Sequence, residues 1–392
     1  MINNKGNFKK VGLIVSHLLP IRKNTICFYS FSGQYNDNPK YISEAVHKLD
    51  PTIRIIWGVS ENSKSSFPEY VEQIPIYSIK WFLTIGCVAV NIDNYCGCTR
   101  KIFAPIVRRK KQLYITTWHG TPLKHIALDD KNSRYKQNEA KIPVRDFQLA
   151  GCKYTADILS TAFTHKPVDV CLSGTPRNDC LVKPSLANKA ILLKKLNIPS
   201  EKKVLLYAPT FRDDIEWSGL NQVRSLNINS IKTALKMRFG GDWVVVFRVH
   251  HAVISILEED SQVTNNKFIC GNIGDDMAEY LICTDVLVTD YSGSLFDFAL
   301  TGRPCFLYVP DIDQYNKERG TYISLDELPY DKCRNTEDLE KAIMNFDSFS
   351  YNSKISDFQD KIGNVEDGCA SERVAKSVIS FVYSGRKELD KA

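Results

Sequence analysis

The sequence predicts an α/β protein built from two doubly wound, parallel-sheet domains. Its 392 residues exceed what one ordinary hydrophobic core accommodates. Strand-like apolar runs alternate with helical patterns in both halves, which is typical of parallel sheets built from βαβ units. Unusual polar residues follow several of the strands, where open parallel sheets bind ligands. We place the first domain at residues 1–170 and the second at residues 171–392.

Each element rests on a local pattern of the sequence. Short apolar runs bounded by polar or turn-forming residues predict strands, and apolar residues at helical spacing predict the helices between them. The predicted strands lie near residues 25–31, 53–59, 86–92, 112–117, 203–208, 243–249, 284–289 and 304–309. The predicted helices lie near residues 40–49, 228–238, 275–283, 294–300, 336–344 and 370–383. The last helix carries an apolar stripe that includes Val374 and Val378, and we expect it to cross back onto the first domain.

Composition restricts the class of protein. With 43% hydrophobic and 24% charged residues, the chain has the balance of a folded, soluble protein. No apolar run reaches the roughly 18–20 residues of a membrane span, and the short run at residues 11–20 lacks a cleavage site. Many of the 12 cysteines lie inside apolar runs, which is typical of buried free thiols in a reducing compartment. We therefore expect a cytoplasmic protein without a cleaved signal peptide.

The most informative segment runs from Val286 to Leu300. An apolar strand ends at Thr289 and Asp290, the turn Ser292-Gly293-Ser294 follows, and an apolar helix begins at once. Free backbone N–H groups at a helix N-terminus, together with serine hydroxyls, form an anion site that commonly binds phosphate. The alternative is ordinary helix capping by a serine, and one serine can do both. Asp290 would repel a phosphate, so it either orients the loop or binds a hydroxyl.

A similar pattern surrounds His119. The strand at residues 112–117 leads into Trp118-His-Gly-Thr-Pro-Leu-Lys124, where Thr121 is a suitable N-cap and Pro122 suits the first helical position. We expect a second strand–turn–helix anion site here. A histidine titrates near neutral pH and can act as a general base, which makes His119 the candidate. Lys124 would fall in the first helical turn, where a cation opposes the helix dipole, and this local cost is a small argument for a nearby anion.

Seven polar motifs occur in order between about residue 112 and residue 373. They are Trp118-His-Gly-Thr-Pro-Leu-Lys124, Gly174-Thr-Pro-Arg-Asn-Asp179, Tyr207-Ala-Pro-Thr-Phe-Arg212, Arg248-Val-His250, Thr289-Asp-Tyr-Ser-Gly-Ser294, residues 311–320 and Asp367-Gly-Cys-Ala-Ser371. Together and in this order they resemble the CDP-glycerol glycerophosphotransferase family of teichoic acid synthesis. The residues before about 110 match that family only as a Rossmann-like half.

The resemblance implies a GT-B-like architecture, with two Rossmann-like domains and a cleft between them. It implies transfer of glycerol phosphate, or ribitol phosphate, from CDP-glycerol or CDP-ribitol to a hydroxyl of a lipid-linked acceptor, with release of CMP and without a cofactor. One departure is His251, which follows His250 where the family usually has proline. The length is closer to that of the priming members, which add one unit.

The resemblance also suggests roles for individual residues. His119 and His250 are the catalytic candidates, with His250 either binding phosphate or acting as the acid–base partner. Forked donors such as Arg212 and Arg319 would neutralise a diphosphate, although a surface salt bridge explains either one equally well. We assign no metal to Asp311-Ile-Asp313, where Asp311 has a structural or sugar-contacting role. The expected donor-binding residues are Arg212, Arg248, Asp290, Ser292, Gly293, Ser294 and Arg319. Further expected site residues are Gly120, Thr121, Lys124, Arg177, Asn178, Asp179 and Asp311.

Two alternatives remain open from the sequence. A GT-B glycosyltransferase that uses a nucleotide sugar would show the same fold pattern. The net charge of +6 permits nucleic-acid binding, but the chain carries no recognised nucleic-acid motif, so we expect no nucleic-acid partner. Lys9, Lys10 and residues 108–111 are better explained by attraction to an anionic membrane surface. We therefore expect the protein on the inner face of the cell membrane, peripherally bound.

Overall fold

A computed structural model describes residues 11, 12, 14–61, 63, 65–94, 109–131, 145–163, 169–210, 225–248, 268–271, 275–318 and 320–392. Within these residues the chain forms two separate parallel sheets flanked by helices, so the predicted α/β class is confirmed. Most strands of both sheets are buried and apolar. A parallel strand that is covered on both faces appears in the sequence as a continuous hydrophobic run.

The first sheet has seven strands in the order β3-β2-β1-β4-β5-β6-β7, and every pair is parallel. Each of the four strands predicted for this half is present within a few residues. The strands missed by the prediction are β3, β6 and β7. β3 contains Glu72 and Gln73 among its five residues, and β6 and β7 have only four and three residues, so none of them shows a clear apolar run. The bounds are β1 Arg22–Tyr29, β2 Arg54–Val59, β3 Val71–Pro75, β4 Val88–Asp93, β5 Leu113–Thr116, β6 Phe147–Ala150 and β7 Val170–Leu172.

The second sheet has six parallel strands in the order β10-β9-β8-β11-β12-β13. This is the doubly wound order, in which the first strand of the sheet lies next to the fourth. The strands missed here, β10 and β13, have three and two residues. The bounds are β8 Lys203–Ala208, β9 Trp243–Phe247, β10 Phe268–Cys270, β11 Val286–Thr289, β12 Cys305–Tyr308 and β13 Lys332–Cys333.

The helices cover the faces of the two sheets. Most begin at a side chain that caps the first turn, such as Ser78, Asn335 or Asp347. In the described part of the chain their bounds are α1 Asp37–Leu49, α2 Ile79–Cys87, α3 Lys153–Thr161, α4 Asp179–Val182, α5 Leu186–Lys195, α6 Ile228–Phe239, α7 Met277–Cys283, α8 Ser294–Ala299, α9 Ile312–Glu318, α10 Thr336–Met344, α11 Ser348–Lys361 and α12 Ala370–Ser384. None of the described helices is both long and apolar enough to cross a bilayer.

The chain passes from the first sheet to the second after β7. Leu172 still belongs to the first sheet, two residues beyond the division that we expect at residue 170. Helix α12 returns to the first sheet, as the sequence predicts, and packs beside α1. Its residues Val374, Val378 and Phe381 join the core of the first sheet. The chain therefore crosses between the two sheets twice, while the division into domains stays a prediction.

One predicted helix is wrong. The segment after His119 is not helical, and Lys124 instead forms an antiparallel bridge with Thr321. The Tyr322 N–H donates to the Leu123 carbonyl at 2.8 Å. Thr121 and Pro122 carry the local signals of a helix start, but pairing with this distant segment satisfies the backbone in another way. The second strand–turn–helix anion site and the helix-dipole argument for Lys124 therefore do not apply.

The packing of α12 generates a stability prediction. Phe381 is 4% exposed in the core of the first sheet, whereas Phe349 of α11 is 86% exposed. Phe381→Ala leaves a cavity in that core, and we expect it to lower the free energy of unfolding by about 3–5 kcal/mol. The matched variant Phe349→Ala should change it by less than about 0.5 kcal/mol. Urea unfolding measures both, and equal effects would contradict the packing of α12 described above.

Candidate active site

A cleft of about 410 Å³ lies where the carboxyl ends of the two sheets face each other. The first-sheet wall is made mostly by the segment that follows β5, and the second-sheet wall by the segments that follow β8, β9 and β11. Because β8 and β11 are neighbours whose chains leave in opposite directions, the cleft lies at a topological switch point, the usual ligand position. It is lined by Trp118, His119, Gly120, Thr121, Pro122, Leu123, Lys124, Ile126, Arg177, Ala208, Pro209, Thr210, Arg248, Met277, Tyr291, Ser292, Gly293, Ser294 and Asp297.

His119 is exposed to this cleft. Its Nδ1 lies 3.2 Å from the backbone oxygen of Asn94, the residue after β4. A carbonyl oxygen only accepts, so Nδ1 donates the proton and Nε2 carries the lone pair of the neutral ring. The surrounding protein displaces water that would solvate an imidazolium and lowers the pKa of His119, while the charge of Asp37 opposes that effect. His119 is thus mostly neutral at physiological pH and is able to accept a proton.

The residues on either side of His119 have positive φ angles, and a hydrogen bond from Asn38 stabilises this backbone. Trp118 has φ of 55° and Gly120 has φ of 117°. The left-handed conformation is costly for a bulky residue such as tryptophan. The Trp118 carbonyl accepts a hydrogen bond from Asn38 Nδ2 at 2.9 Å, which stabilises the turn. This turn presents the imidazole to the cleft.

The turn Ser292-Gly293-Ser294 faces His119 from the second sheet. Ser292 Oγ accepts from the Ser294 N–H at 3.3 Å, and the Ser294 hydroxyl lies 3.0 Å from the same oxygen. A Cβ on Gly293 would lie 2.6 Å from the Thr121 oxygen, so only glycine permits this close approach of the two walls. Ser292 therefore supports the first turn of α8, and both serines also line the cleft.

Asp290 lies beneath this turn and is fully buried. Its Oδ1 accepts from the Thr210 N–H at 2.7 Å and from the Tyr291 N–H at 2.6 Å. The carboxylate thus joins the segment after β8 to the segment after β11. Of the two roles that the sequence leaves open for Asp290, this geometry supports orientation of the loop.

Asp311 is also joined to this part of the protein. Tyr291 donates its hydroxyl hydrogen bond to Asp311 Oδ1 at 3.2 Å, and the Tyr291 ring stacks on Tyr315 with centroids 3.5 Å apart. Asp313 instead forms an exposed ion pair with Arg334. The two carboxylates of the Asp-x-Asp sequence thus have different partners, and the position of Asp311 supports its structural role.

Arg248 follows β9 and lines the cleft next to Met277. Its Nη2 donates to the Asp275 carbonyl at 2.9 Å, and its guanidinium lies over the Tyr280 ring at 5.4 Å from the centroid. The low solvation of this position lowers the pKa of Arg248, because burial disfavours the charged form. A half-buried cation in a cleft gains most from an anionic ligand.

The segment Gly174-Thr-Pro-Arg-Asn-Asp179 joins distant parts of the chain. Arg177 forms ion pairs with Asp37 and Asp297, and it lines the cleft. Asn178 Nδ2 donates to Asp297 at 3.0 Å and to Glu366 at 3.3 Å. Both oxygens of Asp179 accept backbone N–H groups at the start of α12, from Ala370 and Ser371. Asn178 and Asp179 therefore hold the site together and do not line the cleft.

Of the remaining predicted site residues, two lie at the cleft and three fall outside the part of the chain that the structure describes. Thr121 is not an N-cap, and its Oγ1 accepts from the Thr155 hydroxyl at 3.1 Å. Lys124 lines the cleft from its bridge with Thr321. Arg212, His250 and Arg319 lie outside the described residues, so their expected roles stay predictions.

Sequence reasoning missed several polar residues around the site. Three of them follow strands of the first sheet, namely Asp37, Asn38 and Asn94. Their place after the carboxyl end of a strand is the only feature of the sequence that could have marked them as site residues. Asp297 had a stronger signal, because it is a carboxylate inside the otherwise apolar helix α8. Glu366 bonds to the Thr175 N–H through both oxygens and stands just before α12.

The cleft thus combines a neutral histidine on one wall with hydroxyl groups and a guanidinium on the other. The histidine is able to take a proton from a bound hydroxyl. The serines and the arginine are donors suited to phosphate oxygens. Such a site is suited to attack by a hydroxyl on a phosphorylated compound.

Comparison with known proteins agrees with this chemistry. The family model of the CDP-glycerol:poly(glycerophosphate) glycerophosphotransferases matches residues 13–380. A teichoic acid glycerol-phosphate transferase of Staphylococcus aureus is 32% identical over 376 residues, covering 91% of this chain and 93% of that protein. A teichoic acid poly(glycerol phosphate) polymerase of Staphylococcus epidermidis is 32% identical over 372 residues, covering 90% of this chain. The chain spans only 50% of the length of that polymerase.

Solved structures of the wall teichoic acid polymerase TagF share the fold. One has a TM-score of 0.82 at 27% identity and covers 98% of this chain and 95% of that one. A variant of TagF soaked with CDPG has a TM-score of 0.82 at 26% identity and covers the same shares. The predicted GT-B-like architecture is confirmed by this similarity. The chain belongs to the CDP-glycerol:poly(glycerophosphate) glycerophosphotransferase family.

Proposed function

We propose that this protein transfers glycerol phosphate, or ribitol phosphate, from a CDP-alditol to a hydroxyl of a lipid-linked acceptor in the synthesis of a teichoic acid or a related surface phosphopolymer. The observation that carries this proposal is the neutral imidazole of His119, with Nδ1 fixed by the Asn94 carbonyl, facing Ser292 and Ser294 across one cleft. Family membership narrows the phosphorylated substrate to a CDP-alditol.

The reaction replaces the phosphoanhydride bond to CMP by a phosphodiester bond to the acceptor. The acceptor oxygen attacks the phosphorus that bears the alditol, and the bond from that phosphorus to the bridging oxygen of the diphosphate breaks. CMP leaves with the electron pair of that bond. His119 Nε2 takes the proton of the attacking hydroxyl, a contribution of roughly 10²- to 10⁴-fold.

The protein supplies position and charge for the donor. Hydrogen bonds from Ser292 and Ser294 hold the phosphates in line, and Arg248 offsets their negative charge. Asp290 keeps the turn in place from below. Arg212, His250 and Arg319 are expected to complete the phosphate contacts.

Replacement of His119 tests the base. We expect His119→Ala and the similarly shaped His119→Asn to lower the turnover number by about 10²- to 10⁴-fold, because neither side chain accepts a proton near neutral pH. Binding of CDP-glycerol should change little, since the role of His119 concerns the acceptor hydroxyl. In the parent enzyme, turnover should fall as the pH drops through the lowered pKa of His119, which lies on the acid side of the range usual for histidine, because the base is then protonated.

CMP release from CDP-glycerol with a lipid-linked acceptor measures turnover, and calorimetry measures donor binding. His47→Asn is the matched control, because His47 lies in α1, stacks on Tyr70 and does not line the cleft. Turnover within a few-fold of the parent in folded His119→Asn would remove His119 from the mechanism.

Replacement of both serines tests the phosphate site. The double variant Ser292→Ala/Ser294→Ala should bind CDP-glycerol more weakly by roughly 1.5–3 kcal/mol for each lost hydrogen bond to a charged oxygen. Isothermal titration calorimetry measures the affinity, with Ser353→Ala on the exposed surface of α11 as the control. Unchanged affinity in the folded double variant would move the phosphate site elsewhere.

The donor itself is decided by product analysis. CDP-glycerol and CDP-ribitol are offered with candidate lipid acceptors, and product masses report which alditol is added and whether addition stops at one unit. UDP release from a UDP-sugar, with no CMP release from either CDP-alditol, would support the GT-B glycosyltransferase instead.

We further propose peripheral binding to an anionic membrane. Residues 14–18 are helical, with Ile14 and Leu18 64% and 83% exposed. Arg109 Nη1 donates to the carbonyls of Ser16 and Leu19, which attaches this apolar surface to exposed Lys110 and Lys111. Apolar residues beside basic ones suit the interface of an anionic bilayer. The Arg109 guanidinium is therefore engaged in hydrogen bonds within the protein. Lys9, Lys10 and Arg108 lie outside the described residues.

Liposome sedimentation tests this surface. We expect binding to anionic vesicles that weakens at high salt, with each basic residue near the surface contributing about 1 kcal/mol. Lys110→Glu/Lys111→Glu should reduce sedimentation, whereas Lys202→Glu/Lys354→Glu, which alters two exposed lysines elsewhere, should reduce it less. Equal binding to neutral and anionic vesicles would refute the electrostatic attraction.

A further inference from the structure

Arg177 lies between the two walls of the cleft and contacts both. Its side chain is 10% exposed. Nη1 lies 2.9 Å from Asp37 Oδ1, in the helix that follows β1 of the first sheet. Nη2 lies 2.5 Å from Asp297 Oδ2, in the helix that begins at Ser294 of the second sheet. The planar fork of a guanidinium suits two carboxylates held at fixed positions.

The backbone that carries His119 rests on the same guanidinium. A Cβ on Gly120 would lie only 2.4 Å from Arg177 Nη2. Because both ends of the fork are paired with carboxylates, the guanidinium cannot move aside without losing an ion pair. The position of Gly120, and with it that of His119, is therefore set by Arg177.

The main chain of Arg177 makes a second connection to this turn. Its N–H donates to Asn38 Oδ1 at 3.0 Å, and Asn38 Nδ2 donates to the Trp118 carbonyl at 2.9 Å. One buried amide side chain thus joins the Arg177 backbone to the residue before His119. The hydrogen bond from Asn38 stabilises the left-handed conformation of Trp118.

A third connection reaches the imidazole itself. The second oxygen of Asp37, Oδ2, accepts from Asn94 Nδ2 at 2.6 Å, and the Asn94 carbonyl bonds to His119 Nδ1. Asp37 therefore fixes both the guanidinium and the residue that selects the tautomer of His119.

We propose that Arg177 is a positioning residue for phosphate transfer, which holds His119 at a fixed distance from the Ser292-Gly293-Ser294 turn. This inference rests on the function proposed above. It adds that the distance between the two walls is set by a residue that contacts both of them. The distance between the base and the phosphate site decides whether the attacking hydroxyl and the phosphorus are in line, and misplacement by about 1 Å can cost on the order of 10²-fold in rate.

Kinetics of Arg177→Met test the role directly. We expect kcat to fall by about 10²-fold while the KM for CDP-glycerol changes less than about threefold, because alignment is lost and donor contacts are kept. The matched control Arg334→Met removes an arginine from the exposed ion pair with Asp313 and should leave kcat unchanged. Folding of each variant is checked by its thermal transition. A folded Arg177→Met with kcat within a few-fold of the parent would overturn the proposal.

The pKa of His119, measured by NMR titration, gives a readout that does not depend on catalysis. The charged groups that act on His119 are Asp37, Arg177 and Lys124. Removal of the positive charge in Arg177→Met should raise the pKa of His119, and removal of the negative charge in Asp37→Asn should lower it. Shifts of opposite sign in the two variants are expected only if both charges lie close to the imidazole, as the contacts above require. The His119 signal is identified by its absence from His119→Asn.

Two further variants keep the proposal open to refutation if Arg177→Met does not fold. Arg177→Lys keeps the charge but cannot hold both carboxylates as a fork, and Asp297→Asn removes the charge on the serine side alone. Both should lower kcat, and their effects should be non-additive in the double variant because they break one shared contact. Additive effects, or full activity in both, would overturn the coupling. If the parent enzyme releases no CMP from either CDP-glycerol or CDP-ribitol, the proposed function fails, and opposed pKa shifts would still support the position of Arg177 beside His119.

Discussion

Two buried carboxylates, Asp37 and Asp297, are held near each other in the interior because the Arg177 guanidinium lies between them. Loss of one partner from such a group costs about 3–5 kcal/mol, since a charge is then left buried without compensation. The two carboxylates lie in helices that follow strands of different sheets, so this requirement also constrains how the two sheets face each other. Asn178 shares Asp297 with Arg177 and connects the arrangement to Glu366 before the last helix.

The geometry of the cleft follows from this constraint. Gly120 packs on Arg177, and Gly293 approaches the Thr121 carbonyl, so the two walls touch at points where only glycine fits. Left-handed residues such as Trp118 and Asp37 cost of order 1–3 kcal/mol each, and they persist because buried hydrogen bonds determine their positions. The result is a preorganised histidine that faces donors suited to phosphate. A site of this kind needs little reorganisation when the substrate binds.

Local patterns were reliable where the apolar signal of the sequence was strong. The most apolar strands, the turn after β11 and the final helix were predicted from apolar runs, capping residues and helical periodicity. The helix expected after Thr121 was wrong, although its local signals were good. There, pairing of Lys124 with Thr321 supplied the backbone with partners from nearly two hundred residues away. Intrinsic helix signals are weak enough for such contacts to override them.

The sequence by itself determined the two parallel sheets, the positions of His119, Ser292 and Ser294 at strand ends, and the family resemblance. These features follow from residue patterns over short stretches of the chain, which are visible in the sequence itself. Only the tertiary structure decided that Asp290 lies under the turn, that Asp179 caps the last helix and that Arg177 joins both walls. Arg177 and Asp297 are 120 residues apart. No local spacing encodes a contact of that kind, because it forms only when the two sheets meet.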